Sequence, residues 1–400
     1  MPFTQLETEL IELIKSIRAG SQLAESSASL PCFKNVDWPM LVKTAEHHGL
    51  APLAYEALKR SGLLKDAPES AATSLRMAYL RASVANRLAF QDLASLIDRL
   101  KSDDIPVIVL KGGSLAATLY DDAALRPMGD LDLLIPRDAV ERAKRALAEQ
   151  GYRPSTEMAD GFADRFSVEQ TFLRMGNRPS QIDVHWHAFT MPYYFERIPV
   201  EWFWERAIEI DIGRARALML DPTAQLIYLS VHYMLHNYRR LIWSHDIALL
   251  IKRCGEQIDW DRVVEAAGEF RLSAVLADAL YEVREQWGVP VPASVDDRLR
   301  GVGATARQRI ILAATSRMPG SDAGLLYGAG FLGARRKMAY WLRVTFPSAG
   351  YMRTRFQVRN DALIPFCYLL RLTKGAYLCG RAGYFMTRAS ISSRLFRRTI

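Results

Sequence analysis

Apolar positions over the first hundred residues recur at helical spacing. MPFTQLETELIELIK reads as an amphipathic helix, Trp38-Pro39 opens another through WPMLVKTAEHHG, and Leu80, Val84, Leu88, Leu93, Ile97 and Leu100 fall close to one face of a long third helix. The period changes at residues 105–110, IPVIVL, an apolar run of the buried-strand type. Lys111-Gly112-Gly113-Ser114 breaks the run, and residues 115–120 can continue as a short helix. In GDLDLLI, residues 129–135, alternation sends Leu131 and Leu133 to one face of a strand and Asp130 and Asp132 to the other. Asp138 can cap a helix through Glu149, Gly151-Tyr152 starts a strand, and residues 171–175 and 181–186 read as a hairpin across GNRPS. Asp183, His185 and His187 alternate onto one face of the second hairpin strand. Asp221-Pro222 then opens a helical region, in which His232, His236 and Arg240 recur every four residues on one face, ahead of Trp243, His245 and Asp246.

This order of elements predicts an α/β (α+β) chain, a small mixed-sheet domain flanked by all-helical regions. The expected units are an N-terminal helical region at 1–103, the sheet domain at 104–215, a helical domain at 216–318 and a C-terminal region at 319–400. Four hundred residues suffice for several such units. No apolar run approaches the length of a membrane span, no cleavable leader is visible, and the four cysteines are scattered, so a cytoplasmic location with reduced thiols is expected. The net charge of +8 is unevenly placed: residues 321–400 carry fourteen Lys and Arg against two Asp, leaving the first 320 residues at −4. That basic tail, rich in aromatic residues and without a nucleic-acid-binding motif, suits an anionic membrane surface at the inner face better than nucleic acid; the bland reading is that its arginines solvate helices packed on the core.

The chemistry concentrates in residues 105–135. A strand, a glycine turn and a helix start let backbone N–H groups approach an anion, Ser114 can cap the helix, and Lys111 adds a full charge. Two carboxylates two residues apart on a strand bind a hard divalent cation, magnesium or manganese. A phosphate cradle beside a metal clamp points to phosphoryl or nucleotidyl transfer.

The stretch LKGGSLAATLYDDAALRPMGDLDLLI, with the later IDVHWH, resembles the nucleotidyltransferase superfamily pattern, and more narrowly the uncharacterised bacterial nucleotidyltransferase-like family of the NTP-transferase 5 type. VDWPMLVKTAEHHGLAPLAYEALK and LSVHYMLHNYRRLIWSHDIALLI resemble that family's helical regions on either side. Fifteen residues between Ser114 and Asp130 are slightly long for the wider superfamily. The resemblance implies a nucleoside triphosphate as substrate, an unidentified acceptor, and magnesium held by Asp130, Asp132 and Asp183, with Asp183 also accepting the proton of the attacking hydroxyl. It further implies Gly112, Gly113 and Ser114 around the β and γ phosphates, and Lys111 or Arg126 neutralising the leaving pyrophosphate. His185, His232, His236 and Arg240 are candidate contacts to acceptor or phosphate. Two other readings stay open: a His-Asp metal phosphohydrolase built on His232, His236, His245 and Asp246, and a nucleotide-binding scaffold without turnover.

Overall fold

A computed structural model describes residues 4–16, 36–155, 166–176, 179–190, 192–236, 238, 240–301, 334–358, 360–373, 375–377 and 380. Among them a seven-stranded mixed sheet is built from β1 (Ile108–Leu110), β2 (Leu131–Leu134), β3 (Arg153–Pro154), β4 (Glu169–Arg174), β5 (Ser180–His185), β6 (Ala207–Ile212) and β7 (Ala215–Leu220). Their order across the sheet is β3-β4-β5-β2-β1-β7-β6. β2 runs parallel to β5 and β1 parallel to β7, while the other neighbours are antiparallel.

Side-chain alternation divides the sheet's two faces between two cores. Ile108, Leu110, Leu134 and Leu220 face the larger core, shared by helices α1 (Gln5–Ser16), α2 (Trp38–His48) and α3 (Ala51–Arg60) with the helices between residues 222 and 301. Val109, Leu131, Leu133, Ile182 and Val184 face the other, closed by the end of α4 (Glu69–Lys101) and by α6 (Val140–Glu149). The helices on either side of the sheet domain in sequence therefore share one core rather than forming separate units, since α1 to α3 are too short to bury a core alone.

Three details differ from expectation. The sheet runs on through Leu220, so a boundary at residue 215 would cut into the hairpin β6–β7, whose β7 pairs with β1 in the middle of the sheet. On α4, Leu93, Ile97 and Leu100 are buried as expected, but Leu80 and Val84 are 40% and 59% exposed. In the first half of the helix the buried face is carried by Ala71, Leu75, Ala82 and Asn86, and helical winding turns Leu80 and Val84 to the opposite, outward side. Asp138 does not cap α6: a 3₁₀ turn, Arg137–Ala139, precedes it and no side chain caps its start.

Two helices complete the frame of the site. Asp221 caps α7 (Pro222–Leu235) as expected, its carboxylate accepting from the Ala224 N–H at 2.7 Å. α8 (Leu241–Cys254) follows after a short turn. Between them and the sheet, the buried amide of Asn86 on α4 donates to the carbonyls of Ala123 and Arg126, fixing the connection from α5 (Lys111–Thr118) to β2.

Candidate active site

A cleft of about 510 Å³ opens at the end of β2 and β5 and is lined by Lys111, Gly112, Arg126, Asp130, Asp132, Glu169, Asp183, His185, Tyr228, His232, His236, Arg240 and Trp243 among others. Parallel pairing sets Asp132 directly beside Asp183, and antiparallel pairing sets it beside Leu110, the residue before Lys111. Adjacent positions in register point to the same face. Asp130, two residues earlier, joins them from the exposed edge of the cleft. The three carboxylates expected from sequence are thus brought together.

Asp132 is the most enclosed of them, 2% exposed. Its Oδ1 accepts from Lys111 Nζ at 2.7 Å and lies 2.9 Å from His185 Nε2. Nδ1 of the same imidazole is 3.3 Å from Glu169 Oε2, so Lys111, Asp132, His185 and Glu169 lie in a row along the cleft wall. Burial works to raise the Asp132 pKa, but the Lys111 charge and the His185 hydrogen bond overrule it and hold the carboxyl well below its ordinary range. Lys111, which burial alone would lower, is raised by the same pair. Asp130 and Asp183 move the other way: loss of hydration in the cleft pushes each up, and the charge of Asp132 adds to it.

Acidic side chains that raise one another's pKa on a cleft wall form a donor set short of positive charge, and hard oxygens match magnesium or manganese. By chemistry the residues fit such an ion. Among the described residues, no group of three or more His, Cys, Asp or Glu side chains stands in ready metal-holding geometry. Lys111 and His185 are the partners that Oδ1 of Asp132 has instead.

The glycine turn divides its labour in a way the sequence pattern did not show. Lys111 begins α5 at φ 47, a left-handed conformation that a non-glycine residue adopts at a cost, and no side chain caps the helix start. Gly112 lines the cleft, where a Cβ would come within 3.3 Å of Arg126 Nη1. Gly113 faces the core instead: a Cβ there would sit 2.9 Å from Val109 Cγ1. Ser114 is fully buried, and its hydroxyl donates to the Lys111 carbonyl at 3.1 Å rather than capping the helix or reaching the cleft. Neither Gly113 nor Ser114 belongs to a phosphate cradle in this arrangement. Gly113→Val is therefore expected to cost about 1–3 kcal/mol through overpacking, lowering the thermal midpoint equally with and without nucleotide.

Arg126 departs from the pyrophosphate role the resemblance implied, while Arg240 stays at the cleft. Arg126 is buried and grips Asp246, with Nε 3.0 Å from both carboxylate oxygens and Nη2 2.9 Å from Oδ2, while Nη1 donates to the Pro127 carbonyl. Its charge is already compensated. Arg240 does not continue the helical face of His232 and His236, because α7 ends at Leu235 and Arg240 starts α8. It still lines the cleft, and its buried Nε has no hydrogen-bond partner among the described residues. His232 and His236 lie 4.4 Å apart by ring centroid and pack on Trp243. Burial first, and then the Lys111 charge, hold both imidazoles below their ordinary pKa, so they are neutral at pH 7.

The His-Asp pair does not assemble as a phosphohydrolase centre. His245 Nδ1 meets the Tyr120 hydroxyl at 2.9 Å, that hydroxyl donates to Asp246 at 2.7 Å, and Arg126 holds the same carboxylate. Asp246 is consumed by these partners. His187 also departs from expectation: β5 ends at His185, and in the turn beyond it His187 donates to the Ile198 carbonyl and accepts the Phe189 N–H. His185 lines the cleft as expected and holds Asp132 through Nε2. Glu169 and Tyr228 went unnoticed in the sequence. Extending the β4–β5 hairpin register by one more pair beyond Thr171 and Asp183 on that face sets Glu169 against His185.

A model of a family described as uncharacterised nucleotidyltransferase matches residues 34–288. The chain is also similar to the crystal structure of an antigenic nucleotidyltransferase-like protein from Paracoccidioides brasiliensis, at 14% identity and a TM-score of 0.32, over 55% of this chain and 95% of that one. No curated protein matches.

Proposed function

The chain belongs to the uncharacterised nucleotidyltransferase family, and from that premise we propose that it moves a nucleotidyl group from a nucleoside triphosphate to an acceptor with the help of magnesium or manganese. The observation that carries this reading is the register of Asp132 with Asp183, which sets two carboxylates side by side, with Asp130 beside them, in a cleft that also holds Lys111 and Gly112. Asp130, Asp183 and the second oxygen of Asp132 would hold the cation. Bound there, it would supply charge to offset the phosphates and the developing alkoxide.

The chain's own residues divide the remaining work. Asp183, whose pKa is raised, is suited to accept the proton of an attacking hydroxyl. Lys111 and Arg240 are the cleft cations placed to meet a triphosphate, with Gly112 leaving the backbone of the first turn of α5 open to it. Arg126 shapes the wall. The neutral imidazoles of His232 and His236 against Trp243 form a flat, uncharged surface that suits a ring, either the base or the acceptor.

Arg240→Ala tests this assignment without disturbing the Asp132 pair. Triphosphate affinity, measured calorimetrically with a triphosphate analogue that cannot be cleaved between the α and β phosphates, is expected to fall about 10- to 100-fold, while nucleoside affinity holds. Equal losses for both ligands would remove Arg240 from the phosphate site.

A further inference from the structure

Apolar side chains left in water gather at one end of the described chain. Of the sixteen large hydrophobic residues that stand exposed among the described residues, nine lie between Met338 and Tyr377. They are ordered by helical spacing. Met338 and Leu342 lie on the helix Ala334–Thr345 with Phe346 just beyond it, and the exposed Arg335 sits one turn ahead on the same stripe. In the helical stretch that follows residue 361, Leu363, Phe366 and Leu370 recur at three and four residues, while Ile364 and Cys367 turn the other way into a small core with Met352.

This end is folded rather than loose. The Tyr368 hydroxyl donates to the Pro347 carbonyl, and Arg371 donates twice to the Val344 carbonyl, at 2.9 and 2.7 Å. The exposed stripe is the outward face of a small helical unit that has already buried its inward one. Its charge is one-sided. Residues 334–377 carry nine Lys and Arg against the single Asp361, and that carboxylate is already held by Arg353 at 2.5 and 2.7 Å.

We propose that this C-terminal face docks on an anionic lipid surface. Leucine and phenylalanine on the outward stripe would enter the headgroup boundary, and the surrounding arginines would meet lipid phosphates and carboxylates. Among the described residues no helix is long and apolar enough to cross a bilayer, which fits a segment that lies in the interface. The absence of unpaired acid across the unit favours lipid over a protein partner of mixed charge. The cleft and its carboxylates belong to the mildly acidic remainder of the chain, so attachment would bring the site to a surface without using any of its residues.

The experiment is co-sedimentation of the full-length protein with vesicles of phosphatidylcholine, alone or with 30% phosphatidylserine (about that fraction sets a strongly negative surface), at low and high salt. Binding to the anionic vesicles at low salt is expected to exceed binding to the neutral ones by about tenfold or more, and to be lost at high salt. The double variant Phe366→Glu with Leu370→Glu changes only outward positions and is expected to remove it. Arg335→Glu with Lys337→Glu, on a different helix, should weaken it independently, so misfolding of one variant would leave the other as a test. Equal sedimentation with neutral vesicles, or none with anionic ones, would overturn the proposal. So would a concentration-dependent doubling of mass abolished by the Phe366 and Leu370 substitutions, which would assign the face to a second copy of the chain.

Discussion

Asp183→Asn is expected to lower turnover by about 10²- to 10³-fold while leaving the thermal midpoint unchanged or higher. The two halves of this expectation come from the same charges. Asp183 is half-buried beside Asp132 and Asp130, and loss of hydration together with both neighbours raises its pKa above the ordinary carboxylate value. A carboxyl whose folded pKa is raised favours the folded state at low pH, and that contribution is lost as pH rises through the folded pKa. At neutral pH the ionised group therefore works against the fold, and an amide of the same shape relieves the repulsion. Its contacts with the Gln181 amide, at 3.2 and 3.3 Å, are long, and the Thr171 hydroxyl, which works to lower the pKa, is outweighed by burial and the two neighbouring carboxylates. A carboxylate whose ionisation opposes the fold and that lines a cleft fits the chemical role the proposed function gives Asp183. Asp130→Asn should behave alike. Asp132→Asn is a poorer test, because buried Asp132 is ion-paired with Lys111 and hydrogen-bonded to His185, and its loss would leave the Lys111 ammonium without its carboxylate. A Asp183→Asn variant with full turnover, or one that loses turnover only by unfolding, would remove Asp183 from the site.

The largest expected loss of stability lies elsewhere in the cleft wall. Arg126→Met should cost about 3–5 kcal/mol, since it leaves the carboxylate of Asp246, only 1% exposed, in the core without its cation. For a chain of 400 residues that corresponds to a thermal midpoint about 4–6 °C lower. The loss should also loosen the segment before β2, because Arg126 ties its own connection to Pro127 and, through Asp246, to α8. Pairing the change with Asp246→Leu removes the stranded charge and should restore most of the midpoint. Failure of the double variant to recover would mean that the Tyr120, His245 and Asp246 hydrogen bonds, rather than the ion pair, hold the wall together.

What could be read from sequence follows from how locally each feature is determined. The strand, glycine turn, helix and second strand between residues 105 and 135 are short-range, and alternation alone placed Asp130 and Asp132 opposite Leu131 and Leu133. The third carboxylate needed one long-range assumption, that β5 lies beside β2, and the parallel register meets it. Features that depended on distant partners were not legible. The Arg126–Asp246 pair joins residues 120 apart, so Arg126 read as a free cation and His245-Asp246 read as metal chemistry. Ser114 and Gly113 carry cleft-like residue types, but the winding of α5 turns both toward the core. His187 obeyed the alternation of a strand that had already ended. The hairpin β6–β7 did leave a signal, Ile208, Ile210 and Ile212 alternating ahead of Gly213, which takes φ 60 at the turn.

Under the proposed function the cleft cleaves a nucleoside triphosphate between its α and β phosphates. The measurement that meets it most directly is ³¹P NMR of the products formed from a nucleoside triphosphate and magnesium, with water as a slow acceptor and Asp183→Asn run in parallel. Pyrophosphate and the nucleoside monophosphate, formed by the native protein, dependent on magnesium and absent with the variant, are the predicted result. Orthophosphate released from the γ position, or pyrophosphate formed equally by both proteins, would contradict it.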